Sequence, residues 1–122
     1  MIKVNNKILG QIGEEIVANT LQEKGYTLLQ RNFRCRFGEI DIIAKDGPNV
    51  VFIEVKTRKS KKFGEAEEAV DSRKQRKLRT LAELYLAKNS AESPTNCRFD
   101  VYSVYLNQDN QLETIRVFEN CF

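Results

Sequence analysis

The chain has 122 residues, 41% of them hydrophobic and 30% charged, with a formal net charge of +3. That suits one domain with a real core, and with so small a net charge the placement of the charges matters more than their sum. There is no histidine, which excludes a Ser-His-Asp triad, a histidine general base, HNH-type chemistry and histidine-ligated zinc.

In chain order, Ile8, Leu9, Ile12, Ile16, Val17 and Leu21 form one apolar stripe at helical spacing, so residues 7–24 are expected to be a helix. Asn5 or Asn6 is the expected cap and Gly25 the expected stop. YTLLQRNFRCR (26–36) and GEIDIIAK (38–45) read as two strands, with DGPN (46–49) a turn. VVFIEVKTR (50–58) is a β-branched and aromatic run that predicts a third strand. KSKKFG (59–64) is a basic loop. A second helix is expected from about 65 to 89, with Glu65, Glu67, Glu68 and Asp71 at its positive end. Val70, Leu78, Leu81 and Tyr85 give that helix an apolar side, and Ser93-Pro94 breaks the chain. RFDVYSVYL (98–106) and LETIRVF (112–118) are the last strands, joined by the turn NQDNQ. The expected class is α/β: a single domain, residues 1–122, with a mixed five-stranded sheet flanked by helices, in the order αβββαββ. The second helix permits a right-handed parallel crossover.

Cys35, Cys97 and Cys121 stand far apart without a C-x-x-C pair. That argues against a thiolate metal site and suits free thiols in a reducing cytosol. No apolar stretch approaches the ~20 residues of a membrane span, and MIKVNNKILGQIGEE turns polar too soon for a signal peptide. The expected location is the cytoplasm, with no membrane partner.

Acids and a lysine interrupt the strand sequence DIIAKDGPNVVFIEVK (41–56). Side chains alternate faces along a strand, so Glu39 and Asp41 share a face, as do Glu54, Lys56 and Arg58. If DGPN closes the hairpin, Lys45 pairs with Val50, Asp41 falls opposite Glu54 and Glu39 opposite Lys56. Opposed Cβ atoms lie roughly 4.5–5.5 Å apart. Two carboxylates that close repel, and either a proton or a cation between them relieves the repulsion. A hard cation such as Mg²⁺ takes oxygen ligands. Lys56, next to the acids, suits orienting a water or stabilising phosphate charge. The plainer alternative is a Glu39–Lys56 cross-strand ion pair with Asp41 and Glu54 at a solvated edge.

Asp41 followed by E-V-K (54–56) resembles the PD-(D/E)xK signature of restriction-endonuclease-like nucleases. GQIGEEIVANTLQEKGY, RNFRCRFGEIDIIAKDG, VFIEVKTRKSKKFG, AVDSRKQRKL and RFDV together resemble the YraN-like family of bacterial proteins, which is similar to archaeal Holliday-junction resolvases. The resemblance implies a nuclease-like fold and a metal-dependent DNA endonuclease or exonuclease, a phosphodiester hydrolase using Mg²⁺ or Mn²⁺. It implies that Asp41 and Glu54 hold the metal with the Val55 carbonyl, that Glu14 acts through a second metal or a water, and that Lys56 positions the attacking water. A glycine-glutamate-isoleucine run replaces the usual proline before Asp41, leaving Glu39 as an accessory acid. Helical geometry alone does not choose between Glu14 and Glu15; the choice of Glu14 rests on the resemblance. Lys74 matches a second-helix lysine near such sites. The resemblance also implies branched or single-strand-containing DNA as partner, and a homodimer.

Half of the twenty Lys and Arg residues lie between Lys56 and Arg79. Arg58, Lys59, Lys61 and Lys62 on one side of the proposed site and Arg73, Lys74 and Lys77 on the other suit phosphate neutralisation. Arg31, Arg34 and Arg36 with Phe33 and Phe37 form a second basic-aromatic stretch, in which both phenylalanines are expected in the core. Arg98 and Asp100 are expected to form a structural ion pair, with Phe99 on the opposite face. The alternatives to an enzyme are a non-catalytic nucleic-acid-binding module on a nuclease-like fold and an interaction protein of DNA processing.

Overall fold

The computed structural model describes residues 5–59, 71–89 and 96–120. The first helix, α1, spans Asn6–Glu23. Of the two expected caps the chain uses Asn5, whose Oδ1 accepts from Ile8 N–H at 2.9 Å, satisfying a donor that the helix itself cannot. At the other end Gly25 N–H donates to Gln22 O and Tyr26 N–H to Leu21 O, each at 3.0 Å. This paired closure needs a left-handed residue, and Gly25, at φ 91°, supplies it without a Cβ clash.

Five strands follow: β1 (Thr27–Cys35), β2 (Gly38–Asp46), β3 (Asn49–Lys59), then helix α2 (Ser72–Asn89), β4 (Asn96–Leu106) and β5 (Leu112–Phe118). They form one mixed sheet in the order β1-β2-β3-β4-β5. Among the described strands only the β3–β4 pair is parallel, with α2 in the connection, as the element order permits.

The sheet is buried on both faces. Val17, Ala18 and Leu21 of α1 cover Ile42, Val51, Ile53 and Val104. Leu78, Leu81 and Tyr85 of α2 cover Phe33, Ile40, Phe52 and Phe99. A strand covered on both faces reads as a continuous apolar run, which is why VVFI lacks polar alternation. Each large aliphatic side chain so buried is worth about 1.5–3 kcal/mol.

The β2–β3 hairpin closes at Asp46–Asn49 and includes the expected Lys45–Val50 pair, but its ladder ends at Ile42–Ile53. The expected pairs Asp41–Glu54 and Glu39–Lys56 are not made. Instead the Asp41 side chain takes the Val55 N–H, at 2.8 Å, where a ladder carbonyl would otherwise accept. β2 remains paired to β1 through Ile40, Glu39 and Gly38 as it parts from β3. Alternation changes phase there: Ile40 packs on the α2 side and Ile42 on the α1 side.

Two further expectations are corrected. The second helix starts at Ser72, and Asp71 caps it: its Oδ1 accepts from Lys74 N–H at 2.9 Å. Glu65, Glu67, Glu68 and Val70, like Lys61, Lys62, Pro94 and Cys121, lie outside the described residues. Phe37 is not core. Phe33 is 7% exposed, but Phe37 is 44% exposed, because it sits in the tight β1–β2 turn beside exposed residues of α2 rather than under its apolar side. Cys35 and Cys97 are free thiols. No described helix is long and apolar enough to cross a membrane.

Candidate active site

The site forms where β2 and β3 part. Gly13 lets α1 approach this end of the sheet: a Cβ at that position would lie 1.8 Å from Thr57 Oγ1 on β3. The neighbouring Glu14 thereby reaches the acids of β2. Glu14, Glu39 and Asp41 are each half-buried, and each offers a carboxylate oxygen within 4.8 Å of the other two. Glu15 faces away, 62% exposed and paired with Arg31 at 3.0 Å. Of the two acids that helical spacing could not separate, Glu14 is the one whose carboxylate lies among the acids of β2.

Asn32 of β1 completes the cluster. With its amide oriented to suit both neighbours, its nitrogen donates to Glu39 Oε2 at 2.7 Å and to Glu14 Oε1 at 3.3 Å. Its backbone is left-handed, at φ 55°, a conformation that asparagine tolerates better than most residues. Sequence reasoning missed Asn32, although an asparagine inside an aromatic-basic strand is a weak β-former and so a usable signal.

Burial first, then the charges of Glu54, Glu14 and Glu39, push the Asp41 carboxyl up to about 7, against the opposing pull of the Val55 N–H. Glu14 is also raised, by burial and then by Glu39, while Arg31 and a side-chain hydrogen bond with Asp41 work the other way. Arg34 Nε lies 3.5 Å from Glu39, an exposed cation that screens this acid only in part. The cluster thus concentrates negative charge in a half-buried space, the condition under which a proton or a cation is taken up.

Glu54 is held differently. Its side chain is 14% exposed and meets Lys74 Nζ at 2.5 Å. The Asp71 cap fixes the first turn of α2, which sets Lys74 over β3. Lys74 thus stands on α2 beside Glu54. Glu54 is close enough to raise Asp41 but does not belong to the tight triad of acids. Val55 reaches Asp41 through its N–H. Lys56 follows two residues beyond Glu54 on the same face of β3 and is half-buried.

The predicted basic residues divide. Arg58, Arg73 and Lys77 are exposed. Lys59 is engaged by the β4–β5 turn: its Nζ donates to Asn107 O at 3.2 Å and to the Asn110 side chain. Arg98 is structural, as expected. Its Nε donates to both Asp100 oxygens at 3.2 Å, Nη1 to Asp46 at 3.3 Å and Nη2 to Tyr26 OH at 2.7 Å. Asp100, only 1% exposed, also accepts from Asn120 N–H at 2.8 Å, so the buried carboxylate is paired. Phe99 packs on the other face.

The profile of the Uncharacterised protein family UPF0102 matches residues 13–104. A UPF0102 protein of Caldicellulosiruptor saccharolyticus is 46% identical over 121 residues, covering 98% of this chain and all of its own. One from Clostridium botulinum is 46% identical over 117 residues, covering 96% and 95%, and one from Moorella thermoacetica 45% identical over 113 residues, covering 93% of each. Among solved structures, an FdxN element excision controlling factor protein from Anabaena variabilis is similar at 12% identity and a TM-score of 0.38, over 86% of this chain and 98% of its own. The motifs that suggested the YraN-like family and the near full-length identity agree: the chain belongs to the UPF0102 family.

Proposed function

We propose that the protein is a metal-dependent nuclease that hydrolyses DNA phosphodiester bonds, with branched DNA as its preferred substrate. The carrying observation is the half-buried triad Glu14–Glu39–Asp41 at the parting of β2 and β3, with an E-x-K pair, Glu54 and Lys56, on the adjoining strand. The donor set is all oxygen, which suits Mg²⁺ or Mn²⁺. Asp41, held near neutral by burial and by its acidic neighbours, gains most from a divalent cation.

Glu14, Glu39 and Asp41 would hold the ion, with Glu54 in reach from β3. When bound, it supplies Lewis-acid polarisation of the phosphoryl oxygen and acidifies water. The chain's own residues do the rest. The Val55 N–H fixes the Asp41 carboxylate. Asn32 fixes Glu14 and Glu39. Lys74 holds Glu54. Lys56 orients the attacking water or meets charge on the phosphate. Arg58, Arg73 and Lys77 neutralise backbone phosphates, which contact DNA without reading its sequence.

A second reading, a nucleic-acid-binding module without catalysis, draws on two contacts. Lys74 already compensates Glu54, and a proton shared between Asp41 and Glu14 would quiet the triad without a cation. One assay separates the two: branched and linear DNA incubated with Mg²⁺, Mn²⁺ or EDTA, using the native protein, Glu54→Ala and Lys56→Ala. Metal-dependent cleavage by the native protein, lost in both variants, supports the nuclease. Binding without cleavage in any metal supports the module.

A further inference from the structure

The turn between β1 and β2 carries a feature that the acid cluster does not use. Arg36 and Phe37 form the turn itself, closed by the Cys35–Gly38 pair. Gly38 stands at φ 140° and a Cβ there would meet Leu81 of α2 at 3.5 Å, so the turn rests directly on the second helix. Between them lies an open groove of about 410 Å³ lined by Arg36, Phe37, Arg73, Arg76, Lys77 and Thr80. Four of these six residues are cations and none is an acid. Phe37 is 44% exposed, and the Arg36 guanidinium lies 5.0 Å from its ring centroid. A ring covered on one face by a guanidinium still offers the other.

We propose that this groove binds single-stranded DNA, with Phe37 stacking on an unpaired base and Arg36, Arg73, Arg76 and Lys77 holding the flanking phosphates. This rests on the reading that branched DNA is the protein's substrate and adds that an unpaired strand of it is held in this groove. Single-strand sites pair a cationic groove with an aromatic platform, because any base has a π-face to stack. Duplex DNA does not fit this chemistry, since its bases are already stacked on one another. The volume is within the range of a small-ligand site, large enough for one nucleotide. The groove is built from the β1–β2 turn and the outer side of α2, so it is distinct from the acids on α1 and β2.

The test uses fluorescence anisotropy in EDTA, so that no cleavage intervenes, with a labelled oligo-dT and a hairpin duplex of equal phosphate count. A second oligo-dT carries one 2-aminopurine, whose emission is quenched on stacking. The expected result is tighter binding of the single strand than the duplex, with quenching. Phe37→Ala is expected to weaken oligo-dT binding on the order of tenfold and abolish quenching, while Phe37→Trp retains both. Arg76→Ala is expected to flatten the salt dependence by about 0.7 in log–log slope, the loss of one phosphate contact. Phe37 is exposed, and an unchanged melting temperature of Phe37→Ala verifies its fold. If Phe37→Ala binds and quenches as the native protein does, the groove assignment is overturned while the nuclease reading stands. If the native protein binds no single strand, the assignment is likewise overturned, and cleavage of branched duplex still decides the function.

Discussion

Replacing Asp41 by asparagine tests the electrostatics of the acid cluster without any assumption about substrate. The amide keeps an oxygen to accept from Val55 N–H and removes the charge. The Asp41 carboxyl stands at about 7 in the folded protein against an ordinary 3.8, a difference worth about 4 kcal/mol at 1.36 kcal/mol per pH unit. The sign follows from proton binding. Between pH 3.8 and about 7 the folded chain holds a proton that the unfolded chain has lost. Stability contributed at this site is therefore fully present below the lower value and falls as pH rises to the upper one. In EDTA at pH 8, Asp41→Asn should melt above the native protein, on the order of 10 °C for such a difference. At pH 4 the two should melt together. Adding Mn²⁺ at pH 8 should raise the native protein and leave Asp41→Asn in place, since only a ligand of the folded state stabilises it. Thermal unfolding followed by circular dichroism reads all three. If Asp41→Asn melts below the native protein at both pH values in EDTA, the carboxylate is compensated in the folded state and the reasoning is wrong.

Three other substitutions probe the supports of the site. Gly13→Ala should cost more than about 2 kcal/mol in urea unfolding, because its Cβ meets Thr57 Oγ1 at 1.8 Å; Gly13→Ala with Thr57→Ala should cost less than the sum of the two, by double-mutant cycle. Arg98→Leu strands the buried Asp100 carboxylate and should destabilise by about 3–5 kcal/mol, most of it recovered on lowering the pH until Asp100 protonates. Asn32→Ala should cost about 1–2 kcal/mol through its left-handed backbone. Asn32→Gly should fold as well as the native protein yet bind Mn²⁺ more weakly by calorimetry, since the amide that orients Glu14 and Glu39 is gone.

Much of the fold was legible because local signals agreed with one another. The Asn5 cap, the Gly25 stop and the turn that pairs Lys45 with Val50 all appear where residue chemistry put them. The parting of β2 from β3 was not legible. In Ile40-Asp41-Ile42-Ile43 both faces of the strand offer apolar residues, so periodicity cannot tell where alternation changes phase. A side chain, Asp41, decides it by taking the Val55 N–H. The same event moves Glu54 out of the tight acid group and leaves Asp41 with Glu39 and Glu14. Phe37 failed for another reason: aromatic residues usually go inside, but a tight turn over α2 leaves this ring no interior to enter. The Lys74–Glu54 ion pair was not legible from the residues themselves, since RKQRK on its own reads as a solvated helix face.

The central claim is that the acids at the parting of β2 and β3 hydrolyse DNA with a divalent cation. Single-turnover cleavage of a four-way DNA junction in Mn²⁺, comparing the native protein with Asp41→Asn, addresses it most directly. The expected result is cleavage by the native protein that EDTA abolishes, and a loss on the order of a hundredfold or more in Asp41→Asn, whose fold the melting experiment verifies. Cleavage at equal rates by the two proteins, or no cleavage by the native protein in either Mg²⁺ or Mn²⁺, would contradict it.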